Sequence, residues 1–202
     1  MKQNIILVGL MGAGKSTIGR KLATLMNKEF YDSDRVIEER TGVDIATIFE
    51  IEGEQGFRDR EEQVIAELCE KENIILATGG GVILRENNRK TMSRCGHVVY
   101  LKTTAELLYS RIRYDKTRPL MQTSSPINTL RKLLKDREPF YLEIADTIMP
   151  TGKQKVAVIV KRIHQSIVDN TLFSETAESD KRVKSIKNNA KKQTTETKSG
   201  QK

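Results

Sequence analysis

Short apolar runs alternate along the chain with stretches of helical periodicity. Asn4-Ile5-Ile6-Leu7-Val8 reads as a buried strand, with its core at Ile5–Val8, and similar runs predict strands over Glu29–Asp32, Ile74–Thr78, His97–Lys102 and Asp146–Met149. Between them, apolar positions three or four apart predict helices near Lys15–Met26, Asp34–Arg40, Ile45–Phe49, Arg58–Glu70, Glu86–Ser93, Ala105–Arg113 and Ile127–Ile144. A last helix is predicted near Lys153–Val168, with Val156, Ile159, Val160, Ile163 and Ile167 at helical spacing. Strand and helix in alternation imply an α/β fold, with a parallel sheet covered on both faces. Such sheets bind ligands at the carboxyl ends of their strands, so the residues that follow each strand matter most.

After the first strand comes Gly9-Leu10-Met11-Gly12-Ala13-Gly14-Lys15-Ser16, which fits the phosphate-loop pattern G-x-x-x-x-G-K-[S/T]. Glycines let such a loop curl so that backbone N–H groups point at phosphate oxygens. Lys15 supplies a positive charge for the outer phosphates, and the Ser16 hydroxyl can ligate Mg²⁺. The helix that opens after Lys15 adds its positive dipole end. Four fixed positions match by chance in below roughly 1% of chains this long, and here they sit between an apolar strand and an amphipathic helix bearing Ile18, Leu22, Leu25 and Met26 on one face.

The second strand ends in Asp32-Ser33-Asp34 and the third in Gly79-Gly80-Gly81. Beside a phosphate loop, one of the two carboxylates suits a Mg²⁺ held through water and the other a substrate, although an Asp here also serves as a helix cap. Three consecutive glycines suggest close approach of backbone to a ligand, where a tight turn would need only one. The segment Asp115–Pro126 is polar, carries Arg118 and has the length of a lid. Arg58, Arg111, Arg118 and Arg137 are candidate ligands: phosphoryl transfer needs cations over the moving group, and a guanidinium is a natural partner for a carboxylate. Phe49 and Phe57 suit either core or pocket wall, and His97 and His164 need no functional account.

The 202 residues, 37% hydrophobic and 31% charged, suit one globular domain over 1–169, with a lid near 113–126, plus a tail over 170–202. The tail holds 8 Lys/Arg against 4 Asp/Glu and almost no apolar residue beyond Phe173, so it is expected to be disordered. Its basic run is interrupted by acids and holds only one arginine, Arg182, and one aromatic, Phe173, so nucleic acid is not an expected partner. No run approaches the roughly 20 apolar residues of a membrane helix, and no signal peptide is visible, so a cytoplasmic location is expected. Cys69 and Cys95 have neither metal-type spacing nor the look of a disulfide framework. A regulatory GTPase would need a guanine-reading N-K-x-D, which does not occur.

Six motifs in order, GLMGAGKSTIGRKLA (Gly9–Ala23), DSD (Asp32–Asp34), GFRDRE (Gly56–Glu61), ATGGGV (Ala77–Val82), RPLM (Arg118–Met121) and REPFY (Arg137–Tyr141), resemble shikimate kinase from the first strand to about Val168. The resemblance implies a three-layer αβα fold with a five-stranded parallel sheet of order 2-3-1-4-5, like that of nucleoside-monophosphate kinases. It implies that Gly12, Ala13, Gly14, Lys15, Ser16 and Thr17 hold the triphosphate of ATP, with Ser16 on Mg²⁺ and Asp32 behind it through water. Asp34, Arg58, Gly80 and Arg137 would bind shikimate, Asp34 at its hydroxyls and the two arginines at its carboxylate. Lys15, Asp34 and Arg118 would carry catalysis, and Arg111 and Gln154 would lie near the nucleotide. Phe49, Phe57 and Glu61 match pocket positions. The implied reaction is phosphorylation of the shikimate 3-hydroxyl by a monomeric enzyme, with another small kinase, for gluconate or a nucleotide, as the alternative.

Overall fold

A computed structural model describes residues 4–113 and 125–169. Its five strands are β1 (Asn4–Val8), β2 (Glu29–Asp32), β3 (Ile74–Ala77), β4 (Gly96–Lys102) and β5 (Thr147–Pro150). All pair in parallel, in the order β2-β3-β1-β4-β5. Every residue of β1 and β3 is buried, as befits central strands covered on both faces. β2 and β5 sit at the edges and keep exposed positions, and β5 closes on Pro150, a residue that edges tolerate.

The helices are α1 (Lys15–Met26), α2 (Ser33–Thr41), α3 (Ile45–Glu70), α4 (Glu86–Cys95), α5 (Ala105–Ile112) and α6 (Pro126–Ile144). A further helix, α7, runs over 156–169 and thus starts three residues later than the pattern predicts. A core of Ile6, Val8, Leu76, Val98 and Tyr100 from the sheet packs against Ile37, Ile65, Met92 and Tyr141 from the helices. Met1–Ile163 form one compact unit and His164–Lys202 a second, whose described residues are helical.

One expectation changes and one is sharpened. The helices expected over Ile45–Phe49 and Arg58–Glu70 are the two limbs of α3, which meet at a kink at Gly53, where φ is +69°. Both limbs run further than the pattern predicts, so no loop lies between them. The cysteines, read as no disulfide framework, are paired: Cys69 and Cys95, 26 residues apart, form a disulfide with a Cα–Cα separation of 5.5 Å. They lie in the last turns of α3 and α4, which sequence spacing does not bring together.

Candidate active site

The loop between β1 and α1 curls because its glycines take positive φ, with Gly12 at +78° and Gly14 at +99°. A side chain at Gly12 is doubly excluded, since its Cβ would lie 2.7 Å from Ile112 Cγ2. The loop runs into the N-terminus of α1, where unpaired N–H groups and the helix dipole favour an anion. Lys15 opens that helix, and its Nζ donates to the Gly9 carbonyl at 2.7 Å and the Leu10 carbonyl at 3.1 Å. The Ser16 hydroxyl donates to Asp32 Oδ2 at 2.6 Å. The other Asp32 oxygen accepts the Asp34 backbone N–H at 3.2 Å, so Asp32 caps α2 and the Asp34 side chain is free of that task.

A cleft of about 390 Å³ adjoins the loop, with Ala13, Gly14, Thr17, Arg111, Gly152 and Gln154 in its wall. Arg111 fastens its two sides, donating to the Gly12 carbonyl at 3.1 Å and to the Thr151 and Gly152 carbonyls at 3.2 and 2.9 Å. Gln154 Oε1 accepts from Arg162 at 3.3 Å.

A second cluster gathers around the triple glycine after β3. A Cβ on Gly79 would stand 2.6 Å from Glu61 Oε1 and 2.7 Å from Asp34 Oδ1, so two carboxylates face a bare backbone. A Cβ on Gly80 would stand 3.3 Å from the Met11 backbone nitrogen, so the same turn touches the phosphate loop. Gly81 lies against the Arg58 guanidinium. Arg58 pairs with Glu61 Oε2 at 2.7 Å and Glu54 at 3.2 Å, and sits over the Phe57 ring, its Cζ 5.2 Å from the centroid. Phe57 packs on Phe49 with centroids 4.6 Å apart, across the Gly53 break. From α6, Arg137 Nη1 donates to the Gly80 carbonyl at 3.1 Å.

Asp34 Oδ1, Arg58 Nε and Glu61 Oε1 are buried and have no hydrogen-bond partner among the described residues. Burial first, then the charges of Asp32 and Glu61, and that of Glu38, push the Asp34 carboxyl up to about 7, against the pull of Lys15. Burial likewise raises Glu61, opposed chiefly by Arg58 and also by Arg137. Buried carboxylates and guanidiniums around unpaired atoms suit a small molecule that brings both hydroxyls and an anion.

A family model described as "Shikimate kinase" matches residues 11–168, more than half of the chain. The chain belongs to the shikimate kinase family. A shikimate kinase of Nitrosococcus oceani is 54% identical over 160 residues, 79% of this chain and 84% of that protein. One of Vibrio cholerae is 52% identical over 85% of this chain and 98% of its own. Among solved structures, a shikimate kinase from Acinetobacter baumannii in complex with shikimate is 48% identical, with a TM-score of 0.82 over 84% of this chain and 94% of that one. A gluconokinase from Sinorhizobium meliloti, 17% identical at a TM-score of 0.56, shares the fold alone.

In this family member the predicted residues fall into the two neighbouring clusters. Gly12, Ala13, Gly14, Lys15, Ser16, Thr17, Arg111 and Gln154 surround the loop and its cleft. Asp34, Arg58, Gly80 and Arg137 surround the triple glycine, with Glu61, Phe49 and Phe57. Arg118, most of the predicted lid and the 170–202 tail lie outside the described residues. Two groups had no assigned role in the sequence. The Ser33 hydroxyl accepts the Gly79 backbone N–H at 3.1 Å, and the Tyr141 hydroxyl donates to the Gly80 carbonyl at 2.5 Å. Tyr141 had a usable signal, since it stands four residues after Arg137 on one helix and therefore shares its face.

Proposed function

We propose that the chain phosphorylates shikimate, moving the γ-phosphoryl of ATP in line to the 3-hydroxyl. The observation that carries this is the contact of Gly80 with the phosphate loop on one side while Arg137 holds its carbonyl on the other. Donor and acceptor halves meet at one turn of backbone. The shikimate held by the Acinetobacter baumannii relative supports the choice of acceptor.

On this reading the loop amides and the α1 N-terminus bind the phosphates, and Lys15 leaves the Gly9 and Leu10 carbonyls for the charge that builds on the transferring group. Arg58 and Arg137 clamp the acceptor carboxylate with charge-assisted bonds. Asp34, with one buried oxygen unpartnered, accepts a bond from the attacking hydroxyl and orients it. Its raised affinity for a proton suits a late proton acceptor, and a loose transition state asks for no stronger base. Arg118 adds charge over the phosphates from the 113–126 lid, and Arg111 and Gln154 line the nucleotide's side of the cleft.

Ser16 and Asp32 fit Mg²⁺: both offer hard oxygen atoms at the end of the loop. The described residues hold no cluster of three or more acidic, His or Cys ligands, which suits an ion that keeps waters and takes its remaining ligands from phosphates. Bound there, Mg²⁺ would neutralise phosphate charge. A monomeric enzyme in the cytoplasm, made of a kinase domain over 1–169 and a passive tail, completes the reading. No helix among the described residues is long and apolar enough to cross a membrane.

The position of the new phosphate tests the reaction. A phosphorus–proton correlation spectrum of the product is expected to couple phosphorus to the ring proton at carbon 3. Coupling at another carbon, or no product, contradicts the proposal.

A further inference from the structure

Two donors converge on one part-buried acceptor at the heart of the acceptor cluster. The Gly80 carbonyl takes the Tyr141 hydroxyl at 2.5 Å and Arg137 Nη1 at 3.1 Å. Residues 137 and 141 sit one helical turn apart on α6, so a single helix face presents both. Tyr141 is wholly buried, and its ring stacks on Tyr100 with centroids 5.0 Å apart and planes 15° from parallel. Tyr100 is held in turn, its hydroxyl donating to Glu138 Oε1 at 3.4 Å, and that same oxygen pairs with Lys102 at 2.8 Å. The Tyr141 ring is therefore fixed, with its hydroxyl between the Gly80 carbonyl and the Arg137 side chain. The peptide that bears the carbonyl is also confined, because Gly80 lies against the Met11 nitrogen and Gly81 against the Arg58 guanidinium.

Arg137 has two calls on its guanidinium. It holds the Gly80 carbonyl now, and on the reading above it turns its fork to the acceptor carboxylate. A part-buried carbonyl abandoned by its donor loses a hydrogen bond that the cluster does not readily replace. A second donor removes that cost. We propose that Tyr141 is a positioning residue for the acceptor: its hydroxyl keeps the Gly80 carbonyl bonded so that Arg137 can turn to the carboxylate. This rests on the proposed acceptor role of Arg137. Burial pushes the Tyr141 phenol well above its usual range, so the hydroxyl stays a donor throughout the working pH range.

The test is steady-state kinetics of Tyr141→Phe, which removes one oxygen and leaves the ring stack. The KM for shikimate is expected to rise roughly 10-fold, while the KM for ATP stays unchanged. In an Arg137→Ala background the same substitution is expected to add almost nothing to the shikimate KM, because no guanidinium remains to be released. An unchanged shikimate KM in Tyr141→Phe, equal rises in both KM values, or a full additive rise in the double variant would overturn the proposal. A second variant carries p-aminophenylalanine at position 141, which restores an N–H donor on the same ring, and is expected to return the shikimate KM to that of the wild type. If Tyr141→Phe does not fold, that variant decides alone, and a KM raised roughly 10-fold in it contradicts the role. Absence of turnover with shikimate in the wild-type chain would instead strike at the function proposed above, so the two failures are distinguishable.

Discussion

The phosphate loop occupies eight consecutive residues, Gly9–Ser16, whereas the acceptor cluster draws Asp34, Arg58, Gly80 and Arg137 from four separate parts of the fold. The first is made largely of backbone: glycine dihedrals, helix-terminal N–H groups and one lysine. The second is made of side chains whose charges are buried together and incompletely bonded. A backbone site recognises what all nucleoside triphosphates share, so it names the donor and little else. On the proposed function, a side-chain site assembled from four parts of the fold would recognise one arrangement of hydroxyls and carboxylate. The cost of the second design is electrostatic, and it shows in the raised proton affinity of Asp34 and Glu61.

The contrast breaks most sharply at Lys15. Lys15→Met is expected to lower kcat by about 100- to 1000-fold, the cost of removing one preorganised charge from a transition state, with the KM for shikimate little changed. Rapid-quench or steady-state turnover checks this, and near wild-type kcat would remove Lys15 from the chemistry. On the acceptor side, Arg58→Ala is expected to raise the shikimate KM by roughly 10- to 150-fold, the worth of a lost charge-assisted pair, and to spare ATP. Because Glu61 is fully buried and loses its partner, the variant should also melt earlier, which differential scanning calorimetry would show. An unmoved shikimate KM would refute the clamp.

A smaller effect separates the halves by pH. Asp34 in the empty protein holds its proton up to about pH 7, against an ordinary value of 3.8. Between those values the folded chain binds a proton that the unfolded chain does not. This contribution to stability is therefore present in full below about 3.8 and lost as pH rises through about 7. Melting temperatures compared across this window should fall more steeply with rising pH for the wild type than for Asp34→Asn. Parallel curves would deny the buried charge its cost. The smallest effect is expected from deleting 170–202: kcat and both KM values should not change, and a large loss in the same assay would make the tail part of the enzyme.

How much of this could be read from the chain follows the same division. β1, α1 and β2 appear where the apolar pattern puts them, because a buried strand and an amphipathic helix carry their own periodicity. The phosphate loop was legible for the same reason, since its residues are contiguous. The residues proposed for the acceptor came from the resemblance to a family, and their gathering around Gly79–Gly81 is a property of the fold. The two limbs of α3 were legible, but not that they meet at Gly53 with no loop between them, because the kink rests on one residue's backbone conformation. The Cys69–Cys95 pairing and the Ser33 and Tyr141 bonds escaped because each joins positions far apart in sequence.

The central claim is that one turn of backbone joins a general phosphate donor site to a specific acceptor site. The most direct measurement is ADP release from ATP and Mg²⁺ with shikimate, with gluconate, with a nucleoside monophosphate and with no acceptor. The account predicts fast release with shikimate alone and little more than background in the other three. Turnover with gluconate or the nucleotide in place of shikimate would contradict it.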